Sequence, residues 1–440
     1  MTNWQPVWQV QIDGVSYTSA ILANLSITSG RRNIYEQASA GFNNLELLDV
    51  NQAIIPVAIN STVSVSIENT TAVLVPIFGG NVVDIGLSVR DVGSTMFTQS
   101  YNITSLGALA RLPKVLTDGV LAQDFDGDQI YTILSEVLML QWNELPTPAS
   151  YANLPANQTW SNATGDYSAL AVGFRWMDYD PSVTWATAEN TGLGDIDRPG
   201  NYDLAARTSD RVDVYSLVSA LATSGLGYIY EDAQGRIGYA DSTHRSSYLA
   251  ANGYTDLDAN HAKAAGLSII TRAGDVRNSL TIKFGATSSS EASALDSPSI
   301  STFGTLAQII TTTLANSSDA TDQAAFYLAL RAQPFAIFNE ITFDLTNPEL
   351  DDADRDALLG VFMGQPIALS NLPLNMNAGT FQGFVEGWSF RASYNQLSIT
   401  LFVTPLAYSL QAMRWDDVPV TETWLSVIPT LDWQHATLVA

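Results

Sequence analysis

Apolar and polar residues alternate along the first hundred positions of the chain. Trp8, Val10 and Ile12 alternate with Gln9 and Gln11, and Asp13-Gly14 supplies a tight hairpin turn ahead of Val15 and Tyr17. Leu25 and Ile27, then Leu45 and Leu47, repeat the alternation. Val63, Val65 and Ile67 alternate with Ser64, Ser66 and Glu68, the cleanest period-2 run in the sequence. Val73 to Phe78 is a continuous apolar strand, which Gly79-Gly80 is expected to stop before Val82 to Val89 resumes. Closely spaced strands with polar turns predict an antiparallel barrel or sandwich over residues 1–115.

The period changes near residue 115. Ile130, Ile133, Leu134, Val137 and Leu138 fall on one face of a helix, with Asp126 and Asp128 placed to cap its start. Residues 144–205 read as loop, with Pro146, Pro148, Pro155, Pro181 and Pro199 among many Asn, Thr and Gly. A second helix is expected from about Asp210 to Thr223, burying Val214, Leu217, Val218 and Leu221, with Gly225 at its C′ position. The run YIYEDAQGRIGYAD then predicts a hairpin turning at Gln234-Gly235. These elements make a mixed helical and hairpin middle region, 116–264, with the loop-rich insertion inside it.

The last third mixes both periods. SLTIKFG is a strand, 319–333 and 353–363 are helices, and 335–345 and 381–404 are strands. Pro334 stops the first helix; Gly364 and Pro366 are expected to stop the second. Together they predict a second β-rich region with helices, 265–405, followed by an arm at 406–440 carrying Trp415, Trp424 and Trp433. One internal echo links the ends. Phe78, Gly80 and Val82 match Phe381, Gly383 and Val385, each set followed by an acid, Asp84 or Glu386. The expected class is α+β and β-rich, with two related β-domains flanking the middle region.

Composition narrows the function. The 440 residues hold 19 basic and 44 acidic side chains, a net charge of −25, with no cysteine and three histidines. Disulfides, Cys-based zinc sites and a cysteine nucleophile are excluded. The acidic excess argues against binding nucleic acid through its phosphates, which needs clustered Lys and Arg. Three lysines, Lys114, Lys263 and Lys283, cannot build a basic patch from lysine. No apolar stretch approaches the ~18 residues of a membrane span, and the N-terminus lacks the basic flank and apolar core of a secretory signal. The expectation is synthesis in a cytoplasm without processing.

Candidate chemistry is sparse. Asp124, Asp126 and Asp128 form the densest carboxylate cluster, either helix capping or a Ca²⁺ site, yet Gly127 is not where an EF-hand loop needs its glycine. Asp351, Asp352, Asp354 and Asp356 open a helix and read as capping. His244, His261 and His435 are dispersed, and there is no HExxH, GxSxG, P-loop or dinucleotide fingerprint. No catalytic, cofactor-binding or metal-binding residue is assigned, and no cofactor is expected. Ten Trp and 17 Tyr leave two alternatives open, sugar-stacking loops or filled interiors and interfaces. A glycoside hydrolase with an unidentified carboxylate pair is a further alternative.

The order of elements resembles the minor tail proteins of long-tailed bacteriophages, especially those infecting actinobacteria. The likeness runs through Asp13-Gly14, Leu25 to Thr28, Arg31-Arg32, Gln37 to Gly41, Leu45 to Asp49 and PIFGGNVVDI. It continues through GDQIYTILSEVL, the helix and hairpin around Gly235, FQGFVEGWSFRASYNQLSITLFVTP and the ending TLDWQHATLVA. The resemblance implies a baseplate or tail-tip hub similar to the central hubs of contractile tails. Such a hub is a homotrimer with two antiparallel barrel-like domains per chain, here implied at 1–115 and 265–405, in a pseudo-sixfold ring. It implies a virion location at the distal end of the tail and a channel for DNA ejection, with DNA only in passage. The implied partners are a distal tail protein, tail tube, tape-measure protein, and downstream tip or fibre proteins. The resemblance carries over no catalytic residue.

Overall fold

The computed structural model describes residues 4–18, 22–49, 55–89, 99–140, 189–263, 267–334, 336–376, 379–393 and 396–405. The expected arm at 406–440 and most of the loop-rich insertion lie outside these residues.

The fold is β-rich α+β, built on one large and mainly antiparallel sheet. Its first seven strands are β1 (Trp8–Ile12), β2 (Val15–Thr18), β3 (Leu22–Gly30), β4 (Phe42–Asp49), β5 (Thr62–Glu68), β6 (Leu74–Val89) and β7 (Gln99–Gly107). Their spatial order is β3-β4-β7-β6-β5-β1-β2. The expected alternation is met: Trp8, Val10 and Ile12 are buried between half-buried Gln9 and Gln11, and Val63, Val65 and Ile67 are buried in β5. The hairpin at Asp13-Gly14 has both residues at positive φ, as a type I′ turn requires. Asp13 also holds the start of β5, accepting from the Thr62 amide at 2.8 Å and the Ser61 hydroxyl at 2.6 Å.

The same sheet continues into the far end of the chain. Strand Phe381–Ser393 pairs with β3, placing Trp388 opposite Ser29. On its other side it pairs with Gln396–Pro405, which pairs with Ala336–Asp344 and then Ser268–Thr271. The two strand-rich regions are therefore joined edge to edge. Among the described residues no strand pair closes either set into a ring, so the barrel-like closure expected from sequence does not appear there. Antiparallel alternation predicts strands but not their partners, and the joining contacts link residues some 360 positions apart.

The Phe-x-Gly-x-Val echo marks equivalent places in the two sets. Gly80 pairs with Gly107, and Gly383 with Pro405, each opening the ladder to the following strand. A β-bulge follows both valines, between Val82 and Asp84 and between Val385 and Gly387. The bulged residues are Val83, which is 38% exposed, and Glu386, which is fully buried. The acids are thus offset by one position: Asp84 follows its bulge, whereas Glu386 occupies its own.

Strand β6 also runs straight through Gly79-Gly80 rather than stopping there. The glycines are needed for close approach: a Cβ on Gly79 would lie 2.6 Å from the carbonyl carbon of Gln234, at the tip of the predicted hairpin. That hairpin is Tyr228–Glu231 with Ile237–Ala240, turning at Gly235 with φ +79°. Ahead of it, helix Val214–Ser224 buries Val214, Leu217, Val218 and Leu221, and Asp213 caps it by accepting from the Ser216 amide at 2.8 Å. Gly225 ends the helix at negative φ, and the left-handed residue is Leu226.

Helices Ser317–Arg331 and Asp352–Leu359 match expectation, although the second ends at Gly360. Asp351 caps it through the Asp354 amide at 2.8 Å. Helix Ser317–Arg331 packs on a separate sheet, Ser290–Leu295, Ser279–Phe284 and Ala307–Thr311, of which only the central strand buries alternating apolar residues, Leu280 and Ile282.

By compactness the chain divides into residues 1–131 with 194–440, and residues 132–193. Within the smaller unit, Met139–Leu140 pairs with Glu189–Asn190, and the Thr191 amide donates to the Leu138 carbonyl at 2.9 Å.

Candidate functional site

The chemistry of the described residues is concentrated where strand Phe381–Ser393, the loop after β3 and the helix–hairpin unit meet. Gly30 and Gly387 are paired across the strands. A Cβ on Gly387 would come within 2.6 Å of the Arg31 carbonyl, so only glycine allows this approach. The bulge at Glu386 then directs its carboxylate inward against two guanidiniums. Arg31 Nε donates to Oε2 at 2.7 Å; Arg245, from helix His244–Asn252, donates from Nη1 to Oε1 at 2.6 Å and from Nη2 to Oε2 at 2.9 Å. Arg31 also donates to the Glu36 carbonyl at 2.9 Å. Tyr228 lies beneath both cations, 5.2 Å from Arg31 and 4.6 Å from Arg245.

Burial alone would raise the Glu386 carboxyl, but Arg245 and Arg31 outweigh it and hold it at about 2. The group is a fixed carboxylate. Its bidentate partner supplies geometry as well as charge.

Two further buried carboxylates lack such cations. Glu231, at the end of the first hairpin strand, accepts from the amides of Gly41 and Leu109, the latter at 2.9 Å. Burial raises its carboxyl to about 7, against the lowering effect of those amides. Cβ atoms at Gly41 and Gly107 would overlap this carboxylate. Asp126 accepts from the Asn201 and Tyr202 amides, both at 2.8 Å, and from the Tyr239 hydroxyl. Burial raises it to about 6 while its hydrogen bonds oppose the rise.

The DFDGD acids accordingly go to different partners. Asp126 is buried among loop amides instead of capping its own helix, whose first turn donates to the Tyr202 and Pro199 carbonyls. Asp128 pairs with Arg198, and Asp124 accepts from the adjacent Phe125 amide at 2.9 Å. No group of three or more His, Asp or Glu suited to a metal occurs among the described residues. His244 pairs with Asp197 at 2.7 Å and His261 with Asp354 at 3.5 Å; His435 lies outside the described residues.

The segment Gln37 to Gly41 gathers the helix–hairpin unit. Gln37 donates to the Gly227 carbonyl at 3.2 Å and accepts from the Ile229 amide at 3.1 Å, while Tyr215 donates to the Ala38 carbonyl at 2.9 Å. Arg31 and Gln37 to Gly41 stand out in sequence through the resemblance, and Glu386 through the echo. Arg245, Glu231 and the Asp126–Tyr239 pair carry no periodic signal. What these groups do chemically is hold elements together: each acid is enclosed by fixed donors.

The architecture matches known structures. The chain resembles the crystal structure of a tail protein from Neisseria meningitidis MC58, with a TM-score of 0.56 and 10% identity, covering 92% of this chain and 98% of that one. It also matches the 43 kDa tail protein of prophage MuSo2 from Shewanella oneidensis, with a TM-score of 0.47, 12% identity, and coverage of 92% and 99%. A prophage tail protein from Listeria monocytogenes EGD-e follows, with a TM-score of 0.44, 9% identity, and coverage of 90% and 94%. No protein-family model matches the sequence, and no curated protein does. At the level of the fold, the likeness to phage tail proteins read from the order of elements is met by the Neisseria structure.

Proposed function

We propose that this chain is a non-enzymatic structural protein of a bacteriophage tail, a hub at the distal tip. The observation that carries this reading is the fold shared along 92% of the chain with the Neisseria tail protein. The repeated glycine-and-bulge geometry at Val82 and Val385 supports two related β-domains per chain, at 1–115 and 265–405, beside the middle region 116–264. In this reading three chains form a ring of six similar β-units that closes or extends the tail tube. The ring anchors tip proteins and leaves a channel for DNA ejection. Its neighbours are a distal tail protein, tube, tape-measure protein, and tip or fibre proteins. Among the described residues no helix is long and apolar enough to cross a membrane.

Native mass measurement of the full chain, with imaging of purified tails labelled at this protein, tests the proposal. The expected result is a trimer placed at the tail tip. A stable monomer or dimer within complete tails overturns it.

A further inference from the structure

In a chain of net charge −25, four arginines gather in one place. Arg32, Arg272, Arg331 and Arg391 line one concavity of about 770 Å³ on the face of the large sheet, with only Asp275 and Glu340 as acids in its lining. Arg32, Arg272 and Arg391 are exposed and form no ion pair among the described residues; Arg32 lies 5.3 Å over the Phe402 ring. Arg331 is held in place over Tyr35 at 4.0 Å.

A second concavity, of about 550 Å³, has the opposite character. Asp124, Asp203 and Asp319 line it with no basic residue, around Phe125, which is 41% exposed. These acids accept from polar neighbours, Asp203 from Gln123 at 2.7 Å and Asp319 from Asn316 at 3.3 Å, and none is ion-paired among the described residues. The two concavities sit at opposite ends of one element. Asp319 lies in the first turn of helix Ser317–Arg331 and Arg331 ends it, about 18 Å apart at 1.5 Å per residue.

We propose that the arginine-lined concavity receives the Asp124/Asp203/Asp319 rim of a second copy of this chain, with Phe125 as its apolar anchor. The inference rests on the trimeric hub reading and assigns the surfaces that join its chains. A patch and its complement at two ends of a rigid helix cannot satisfy each other within one chain. Between copies they make a head-to-tail contact, the kind that closes into a ring when the rotation allows. Complementary charge fixes register and partner, and the exposed aromatic inside the acidic rim provides buried area.

Charge reversal in the full-length chain tests this. Arg272→Glu with Arg391→Glu, and separately Asp124→Arg with Asp319→Arg, are each expected to weaken the trimer about 100-fold, since like charges then face each other. The four substitutions combined are expected to recover at least about tenfold of that loss. Far-UV circular dichroism and melting separate misfolding from failed assembly. The neutral pair Arg272→Gln with Arg391→Gln, expected to weaken the trimer by an intermediate factor, serves if a reversed chain does not fold. The interface is overturned if wild type is trimeric and both reversed chains are equally so, or if the combined chain assembles no better than either pair. Trimers of normal stability that fail to enter tails would assign the groove to another tail protein and also overturn it. A wild-type chain that is monomeric both in solution and in tails overturns the hub reading itself.

Discussion

Arg31 donates to Glu386 across 2.7 Å and 355 positions of sequence, and the backbone amide of the same arginine donates to the Glu386 carbonyl at 2.9 Å. The contact locks the loop after β3 to the bulge in strand Phe381–Ser393, where the first and last parts of the chain share one sheet. Arg245 adds the helix–hairpin unit to that lock. Three regions distant in sequence thus depend on one carboxylate.

Removing that carboxylate leaves two buried guanidiniums without compensation. Glu386→Gln is expected to destabilise the chain by about 3–5 kcal/mol, read as a lower midpoint in chemical denaturation. Replacing Glu386 by Leu and Arg245 by Met together is expected to be milder than Glu386→Gln, because a matched apolar pair carries no unpaired charge. A double variant worse than the single one would show that the ionic geometry itself, rather than charge compensation, sets stability.

The buried acids pull the pH dependence in opposite directions. Glu231 rises from an ordinary 4.5 to about 7 on folding, so the folded state holds its proton more tightly. Its contribution is full below pH 4.5 and falls as pH rises toward 7, by about 3 kcal/mol. Asp126 acts with the same sign between 3.8 and about 6. Glu386, lowered from 4.5 to about 2, contributes above pH 4.5 and loses that contribution on acidification. Denaturation midpoints from pH 3 to 8 are expected to peak near pH 4.5. Glu231→Gln should flatten the arm between pH 5 and 7, and an unchanged slope there would remove Glu231 as its source.

Gly225 tests the Asp126 site by another route. Its backbone suits any residue, so alanine at a helix end would ordinarily be neutral or stabilising. Here the new Cβ would lie 2.6 Å from Asp126 Oδ2 and 2.7 Å from the Tyr239 hydroxyl. Gly225→Ala is therefore expected to destabilise by about 1–3 kcal/mol. Gly274→Ala, with open space at its Cβ, is expected to be neutral or stabilising by up to about 1 kcal/mol in the same melting assay.

Legibility in the sequence followed burial. Strands with one buried face, such as β1 and β5, and helices with a full apolar stripe, such as Val214–Ser224, could be read directly. Strand Ser290–Leu295 and helix His244–Asn252 could not, because their outward residues are small or polar and bury little. The joint between β3 and strand Phe381–Ser393 was invisible for a different reason: pairing is decided by three-dimensional neighbours, which period-2 alternation does not encode. In the sequence Glu386 stands out only as an acid after an echoed valine. Its role depends on a bulge that shifts it one position from Asp84, and on Arg245, which nothing in the local sequence links to it.

Charge bears on the proposed channel. Three chains at −25 each would carry −75, and a tail channel must pass DNA without holding it. An acidic wall repels phosphates over roughly a Debye length, ~8–10 Å at physiological salt, so DNA would slide without counterion-release binding. Asp and Glu are expected to outnumber Arg on the inner surface of the ring, while the Arg32/Arg272/Arg391 groove is covered by the neighbouring chain. Assembled wild-type rings should then show no salt-dependent affinity for duplex DNA in a filter or anisotropy assay. Monomers released by Asp124→Arg with Asp319→Arg, which bare the groove, should bind DNA weakly, and more weakly as salt rises. Tight, salt-sensitive binding by intact wild-type rings would defeat the sliding argument, because it would place cations rather than acids along the DNA path.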